Sequence, residues 1–264
     1  MVSLLLKDGW RVLAGLRNIE KRRTEFGDEI TAFGERLRLI ELDVTNEKQR
    51  ETAIRAAGGR LELLVNNAGY GLVGPFEETD EEEFRKQIEV NFFGSAFLTR
   101  SALPALRVAR GKVIAVSSVL GYSGFPLSSA YCASKFALEG LFESLYHELR
   151  PHGVQVALVE PGGFRTKMAD NTAFGAGTFR EGSAYARQVG NLTRLREKML
   201  SKPGRPPAAV AEAVLKLAKA RTMPLRTVVG PDAQLVRVMQ KLMPRNAAAR
   251  LQGAVFDKLF LQET

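Results

Sequence analysis

Apolar residues fall along this chain in two alternating rhythms. Six short runs are nearly continuous in Val, Ile and Leu: "WRVLAGL" (10–16), "LRLIELDV" (37–44), "LELLVNNAG" (61–69), "GKVIAVSS" (111–118), "VQVALVEPGG" (154–163) and "LRTVVGP" (225–231). Runs of that length and β-branched content predict strands buried on both faces, the habit of parallel sheets. Between them apolar residues recur at helical intervals. "TDEEEFRKQIEVNFFGSAFLTRSALPAL" opens on Thr79 with Glu82 three residues later, a capping-box spacing. "SAYCASKFALEGLFESLYHELRPHG" runs to the stop signals Pro151 and Gly153, and "PPAAVAEAVLKLAKAR" carries prolines at a helix entry. Strand and helix alternating in this way predict an α/β fold, a Rossmann-type doubly wound parallel sheet in a single domain over 1–264. Residues 168–205 mix glycine, small polar and aromatic residues between two core elements, and are expected to form a substrate lid. The stretch 232–264 reads as a C-terminal helical tail packed on the domain, a reading favoured over contact with a membrane surface.

Composition narrows the class. The 264 residues, 45% hydrophobic and 25% charged, suit one domain with a large core. Lys and Arg outnumber Asp and Glu by 38 to 29, a formal charge of +9. No single basic block stands out, so the charge is read as solvated surface plus attraction for a cofactor phosphate, and no nucleic-acid partner is expected. Cys132 is the only cysteine, which rules out an intrachain disulfide and a cysteine-based zinc site; no metal is expected. No apolar run approaches the roughly 18 residues a membrane span requires. Lys7, Asp8 and Gly9 interrupt the opening apolar triplet, a poor signal peptide, and a cytoplasmic location is expected.

The candidate chemistry centres on Tyr131 and Lys135, one helical turn apart, with Ser118 thirteen residues before the tyrosine at the end of "KVIAVSS". A phenol titrates near pH ~10 in water, and a cation beside it favours the phenolate. Residues at i and i+4 share a helix face, so Lys135 can lie beside Tyr131 and still reach a ribose hydroxyl. A strand-end serine points out of the carboxyl edge of the sheet, where it can hold a substrate oxygen next to the phenol. Other tempting residues are discounted. "GYGLVG" (69–74) formally fits a dinucleotide fingerprint, but Pro75 follows and no helix begins before Thr79, so it is read as a turn. His147 and His152 fall late on the Tyr131 helix, and Cys132 turns to another helix face, where packing is the expected role.

With "YCASKFALEG", "LVNNAGYGLVGP", "VNFFG", "SSVLGYSGFP" and "VEPGGFRT" in order, the chain resembles the classical short-chain dehydrogenase/reductase family from its first residues to about Pro231, closest in look to hydroxysteroid and retinol dehydrogenases. The resemblance implies an NADP(H)-dependent oxidoreductase that interconverts a ketone or aldehyde and an alcohol on a lipophilic substrate. Position by position it implies Tyr131 as general acid/base, Lys135 on the nicotinamide ribose and lowering the tyrosine pKa, Ser118 orienting the carbonyl or hydroxyl, and Asn91 completing the proton relay. It puts Asn66, Asn67, Ala68 and Gly69 beside the adenosine part of the cofactor, Asp43 and Val44 on adenine, and Pro161, Gly162 and Thr166 at the nicotinamide. Arg17 stands where an acidic residue is expected for NAD, and a guanidinium there suits a 2′-phosphate, so NADP(H) is favoured over NAD(H). A homodimer or homotetramer is implied.

One departure weakens the carry-over. The family opens with a strand, a glycine-rich turn and the start of a helix, whereas here "WRVLAGL" matches the family's second strand and about 25 residues of a strand–loop–helix unit appear absent. The glycine turn carries the pyrophosphate. Without its strand, two inner sheet edges stay unpaired unless their neighbours close up. Three accounts are open: a working protein that starts upstream, a truncated paralogue kept as a binding or oligomerisation partner, or a repaired sheet that holds cofactor poorly.

Overall fold

The computed structural model describes residues 1–164, 172–201 and 205–261. Thr166 and part of the expected lid lie outside them. All six predicted strands form: β1 (Val12–Leu16), β2 (Leu37–Glu41), β3 (Leu63–Asn66), β5 (Lys112–Val116), β6 (Gln155–Pro161) and β8 (Arg226–Val229), with every recorded pairing parallel. They are divided, however. One sheet is β1–β2 and the other β3–β5–β6–β8; no hydrogen-bonded ladder joins β1 to β3. The neighbouring strands have not closed up, and the expected pair of open inner edges is present. The short helix α1 (Val2–Lys7) packs beside this opening, with Leu6 fully buried against Ala14 and Leu37.

Side-chain alternation along the four-stranded sheet divides its core in two. Val113, Ala115, Val156 and Leu158 face one way, onto Leu98, Ala102, Leu106, Leu138 and Phe142 of α6 (Gly94–Ala109) and α7 (Ser129–Leu149). Ile114, Ala157 and Val159 face the other way, onto Val210, Val214 and Leu217 of α9 (Ala208–Lys219). Both faces are therefore covered, which is why these strands read as unbroken apolar runs. Strand β1 alternates buried and exposed instead, and Leu13 is 36% exposed.

Two local readings need correction. The predicted helix from Thr79 is two helices, α5 (Glu81–Ile88) and α6, joined by a π-helical turn at Glu89–Phe93. Its N-cap is Asp80, and the hydroxyl of Thr79 donates to Pro75 O at 2.7 Å, so no capping box forms. The lid region is also more regular than its composition implied. Ala173–Phe174 (β7) pairs with Leu72–Val73 (β4), and α8 covers Ala186–Leu200. The tail forms α10 (Pro231–Leu242) and α11 (Arg245–Phe260): Phe256 and Phe260 meet Phe125 edge-on, and Gln252 Nε2 donates to Ser123 Oγ at 2.6 Å.

Candidate active site

Helix α7 enters the core at its amino end, burying Ala130, Tyr131, Ser134 and Lys135. Lys135 Nζ lies 5.7 Å from the Tyr131 ring centroid and donates to Val116 O at 2.8 Å, tying the helix to the end of β5. Two residues on, Ser118 caps a 3-10 turn, its hydroxyl accepting from Leu120 N at 3.1 Å. Ser118 also hydrogen-bonds Tyr131, so phenol and hydroxyl meet at the carboxyl edge of the sheet. Burial pushes the phenol up to about 12 against the pull of that hydrogen bond, and the nearby Cys132 thiol raises it further. Burial brings the Lys135 ammonium down to about 8, the Glu139 carboxylate acting the other way. The expected lowering of the tyrosine by the lysine is thus not what this geometry shows. Desolvation disfavours the charged form of both groups, and the ammonium is held by a backbone carbonyl.

Asn91 is fully buried in the π-turn. Its Oδ1 accepts from Tyr70 N at 3.1 Å, and its Nδ2 donates to Tyr70 O at 3.0 Å and to Ser134 Oγ at 3.1 Å. The wider turn displaces the backbone that carries it, a common device at functional sites. Gly69 lies against the same group: a Cβ there would stand 3.1 Å from Asn91 Oδ1 and 3.9 Å from Lys135 Nζ. A bare backbone at 69 therefore keeps Asn91 and Lys135 within reach of one ligand.

The remaining candidates ring the same edge. Asn66 ends β3 and donates from Nδ2 to Thr99 Oγ1 at 2.9 Å, while Asn67 and Ala68 are exposed in the turn beyond. Val44 is buried against Gly94, where any side chain would collide with it. Asp43 Oδ1 accepts from the backbone and hydroxyl of Thr45 at 2.9 and 2.7 Å. Burial works to raise its carboxyl, but those bonds and the charges of Arg17 and Lys86 hold it below the usual range. The Arg17 charge reaches Tyr70 as well, which brings the end of the first sheet to the Asn66–Gly69 turn. Pro161 ends β6. The Asp232 carboxylate fills the space a side chain at Gly162 would need, and accepts from Gly163 N at 2.6 Å. Arg205 pairs with Asp232 and stacks over Phe164.

Sequence reasoning missed Tyr70 and Ser134, which hold Asn91, and Asp232 with Arg205, which cap the "PGG" turn. Ser134 carried a faint signal, a small polar residue within a turn of Tyr131 inside an apolar helix. An open cavity of about 470 Å³ lies between α8 and the turn before it, lined by Phe179, Arg180, Val189 and Arg194, and none of the catalytic candidates borders it. At Tyr131, by contrast, a phenol, a hydroxyl and an ammonium converge. "GYGLVG" is irregular backbone over 69–71 that continues as β4, with no helix following directly, and burial raises the Cys132 thiol, leaving it in its unreactive form. Among the described residues no group of three or more His, Cys, Asp or Glu side chains is arranged to hold a metal, and no helix is long and apolar enough to cross a membrane. None of them forms a glycine-rich turn leading into a helix across the opening between the two sheets.

Parallel strands covered on both faces, with a buried Tyr–Lys pair, a serine and an asparagine at one edge, define a Rossmann-type oxidoreductase scaffold. Residues 1–174 match the short chain dehydrogenase family, and the chain belongs to it. Among curated relatives it is 36% identical over 210 residues to a 3-ketodihydrosphingosine reductase of Bacteroides thetaiotaomicron, covering 78% of this chain and 77% of that protein. It is 32% identical over 227 residues to human retinol dehydrogenase 8, covering 83% and 72%. A solved short-chain dehydrogenase from Streptomyces avermitilis superposes with a TM-score of 0.77 at 35% identity, covering 95% and 92%. Another, from Burkholderia cenocepacia in complex with NADP, gives 0.73 at 28% identity, covering 95% and 90%.

Proposed function

We propose that this protein is an NADP(H)-dependent oxidoreductase that interconverts a ketone or aldehyde and the corresponding alcohol on a lipophilic substrate of steroid, retinoid or long-chain type. The observation that carries the reading is the meeting of Tyr131, Ser118, Lys135 and Asn91 at one sheet edge. Kinship with a ketosphingosine reductase and a retinol dehydrogenase supports the lipophilic substrate. The NADP complex of a relative supports the cofactor. Arg17 would take the 2′-phosphate, Asp43 and Val44 the adenine, and Asn66–Gly69 with Lys135 the riboses. Pro161, Gly162 and Thr166 would meet the nicotinamide. Bound NADPH would supply the hydride. The chain supplies the rest: Ser118 donates a hydrogen bond to the substrate oxygen, and Tyr131 passes its proton to that oxygen as charge develops. Lys135 would hold a ribose hydroxyl of the bound cofactor, and Asn91 fixes the backbone of Tyr70 next to it. Phe93, Val108 and Phe136, exposed on the π-turn, α6 and α7, support self-association.

NADPH consumption with a panel of ketosteroids, retinal, long-chain ketones and simple ketones tests the reading. Turnover that disappears in Tyr131→Phe, with NADPH affinity retained, is the expected result; unchanged turnover refutes the assignment. The opening between β1 and β3 favours a second reading, a binding or oligomerisation partner of low activity. Absence of turnover with the whole panel, alongside a stable homo- or hetero-oligomer, would select it.

A further inference from the structure

Behind the catalytic residues lies a polar cluster that hydride transfer leaves unused. One turn past Lys135, the face of α7 that carries Tyr131 and Lys135 presents Glu139, 6% exposed. Glu160, immediately before Pro161, is fully buried beside it. Arg226 of β8 sits between them: its Nε is 3.2 Å from Glu139 Oε2 and 3.2 Å from Glu160 Oε1, while its Nη2 reaches Glu143 Oε2 at 2.9 Å. Ser117, next to Ser118, faces Glu139. Gly121 closes over both: a Cβ there would stand 2.7 Å from Ser117 Oγ and 2.9 Å from Glu139 Cγ. Glu139 Oε1, both Glu160 oxygens and Ser117 Oγ are buried with no well-formed hydrogen bond, their only polar neighbours being Arg226, Ser117 and one another.

Two carboxylates buried together on one guanidinium do not both ionise freely; one proton between them relieves the repulsion and supplies a donor. Burial pushes both carboxyls up, and repulsion from Glu139 adds to it at Glu160, which reaches about 7; Arg226 and Arg237 work against the rise in both, and Ser117 against it in Glu139. The other charged or titratable groups around the pair are Lys135 and Glu143 on α7, Tyr122 on the 3-10 turn side, and Asp232 with Arg237 on α10. The charge of Glu139 is felt directly by Lys135.

We propose that Glu139 and Glu160 are a proton-sharing pair that positions the active site, Glu139 holding Lys135 in its cationic form and Glu160 setting the charge on Glu139. This rests on the role given to Lys135 above. The test is an NMR titration of protein labelled with [ε-13C]lysine, the Lys135 signal being assigned by its loss in Lys135→Met. Glu139→Gln is expected to lower the Lys135 midpoint by roughly one pH unit, the scale of a lost opposite charge a few ångströms away. Glu160→Gln is expected not to lower it, since Glu139 then ionises more readily, and to abolish the inflection near neutral pH. Glu139→Asp restores most of the midpoint. The alkaline limb of kcat/KM should follow the same order. A Glu139→Gln midpoint unchanged within the error of the titration, or equal shifts of one sign in both Gln variants, overturns the proposal. Should Glu139→Gln not fold, Glu160→Gln decides through the inflection. An inactive wild type would sink the proposed function, while the titration still decides this inference.

Discussion

Replacing Glu160 by Gln should stabilise the protein above neutral pH and do little below pH 5. Glu160 is fully buried, and burial followed by repulsion from Glu139 raises its carboxyl from 4.5 to about 7. The folded state therefore binds this proton more tightly than the unfolded chain does. Its contribution is complete below the unfolded value, declines as pH rises from about 4.5 to 7, and is flat above. With each tenfold in proton affinity worth about 1.4 kcal/mol, the folded chain at pH 8 carries a cost of roughly 3–4 kcal/mol that glutamine, uncharged at any pH, avoids. Arg226 keeps Glu139 and Glu143 as partners, so the substitution leaves no buried cation unpaired. In a chain of this size each kcal/mol moves Tm by about 2–4 °C, so Glu160→Gln should melt roughly 6–16 °C above wild type at pH 8 and close to it at pH 4.5. Thermal unfolding followed by circular dichroism at the two pH values measures this. A variant less stable than wild type at pH 8, or displaced equally at both, refutes the picture of a strained shared charge.

Three further outcomes are expected. Asn91→Ala removes the partner of Tyr70 N and one donor to Tyr70 O and Ser134 Oγ inside the π-turn, and should cost about 2–4 kcal/mol, read as a lower Tm together with a loss of kcat. Arg17→Ser should weaken NADPH binding about tenfold and leave NADH unchanged, measured by quenching of nicotinamide fluorescence; equal effects on both cofactors would show that Arg17 does not read the 2′-phosphate. A chain extended ahead of Met1 by a strand, a glycine-rich turn and a helix start should bind NADPH at least roughly tenfold more tightly, because the added strand would pair both open edges and its helix would present amide groups to the pyrophosphate. Equal affinity would refute that account of the opening.

Much of the fold was legible because both faces of the central sheet are covered. Val113 to Val116 and Val156 to Val159 had to be apolar on successive residues, and that run is visible without any partner. The positions proposed as catalytic stood out as short motifs whose spacing is set by one helix turn or one strand end. What stayed hidden depends on distant contacts. Asp232 reaches back 69 residues to Gly163, and Arg226 reaches 87 to Glu139. The π-turn at Glu89–Phe93 was invisible because five residues of ordinary helical character occupy it, and only the tertiary bonds of Asn91 reveal it. The capping box at Thr79 failed for a local reason: its hydroxyl found the carbonyl of Pro75 first.

The two-residue ladder between Leu72–Val73 and Ala173–Phe174 has a thermodynamic consequence. Ala173 N bonds Gly71 O at 2.8 Å, Gly175 N bonds Val73 O at 2.9 Å, and Thr178 Oγ1 donates to the same carbonyl at 3.0 Å. The segment from Ala173 to Thr178 is thus fastened to the backbone that continues from Asn66–Gly69. A ligand that orders this ladder from one side is coupled to any ligand that bears on the same backbone from the other, by the same factor in either direction. Such coupling would run through hydrogen bonds that touch neither ligand.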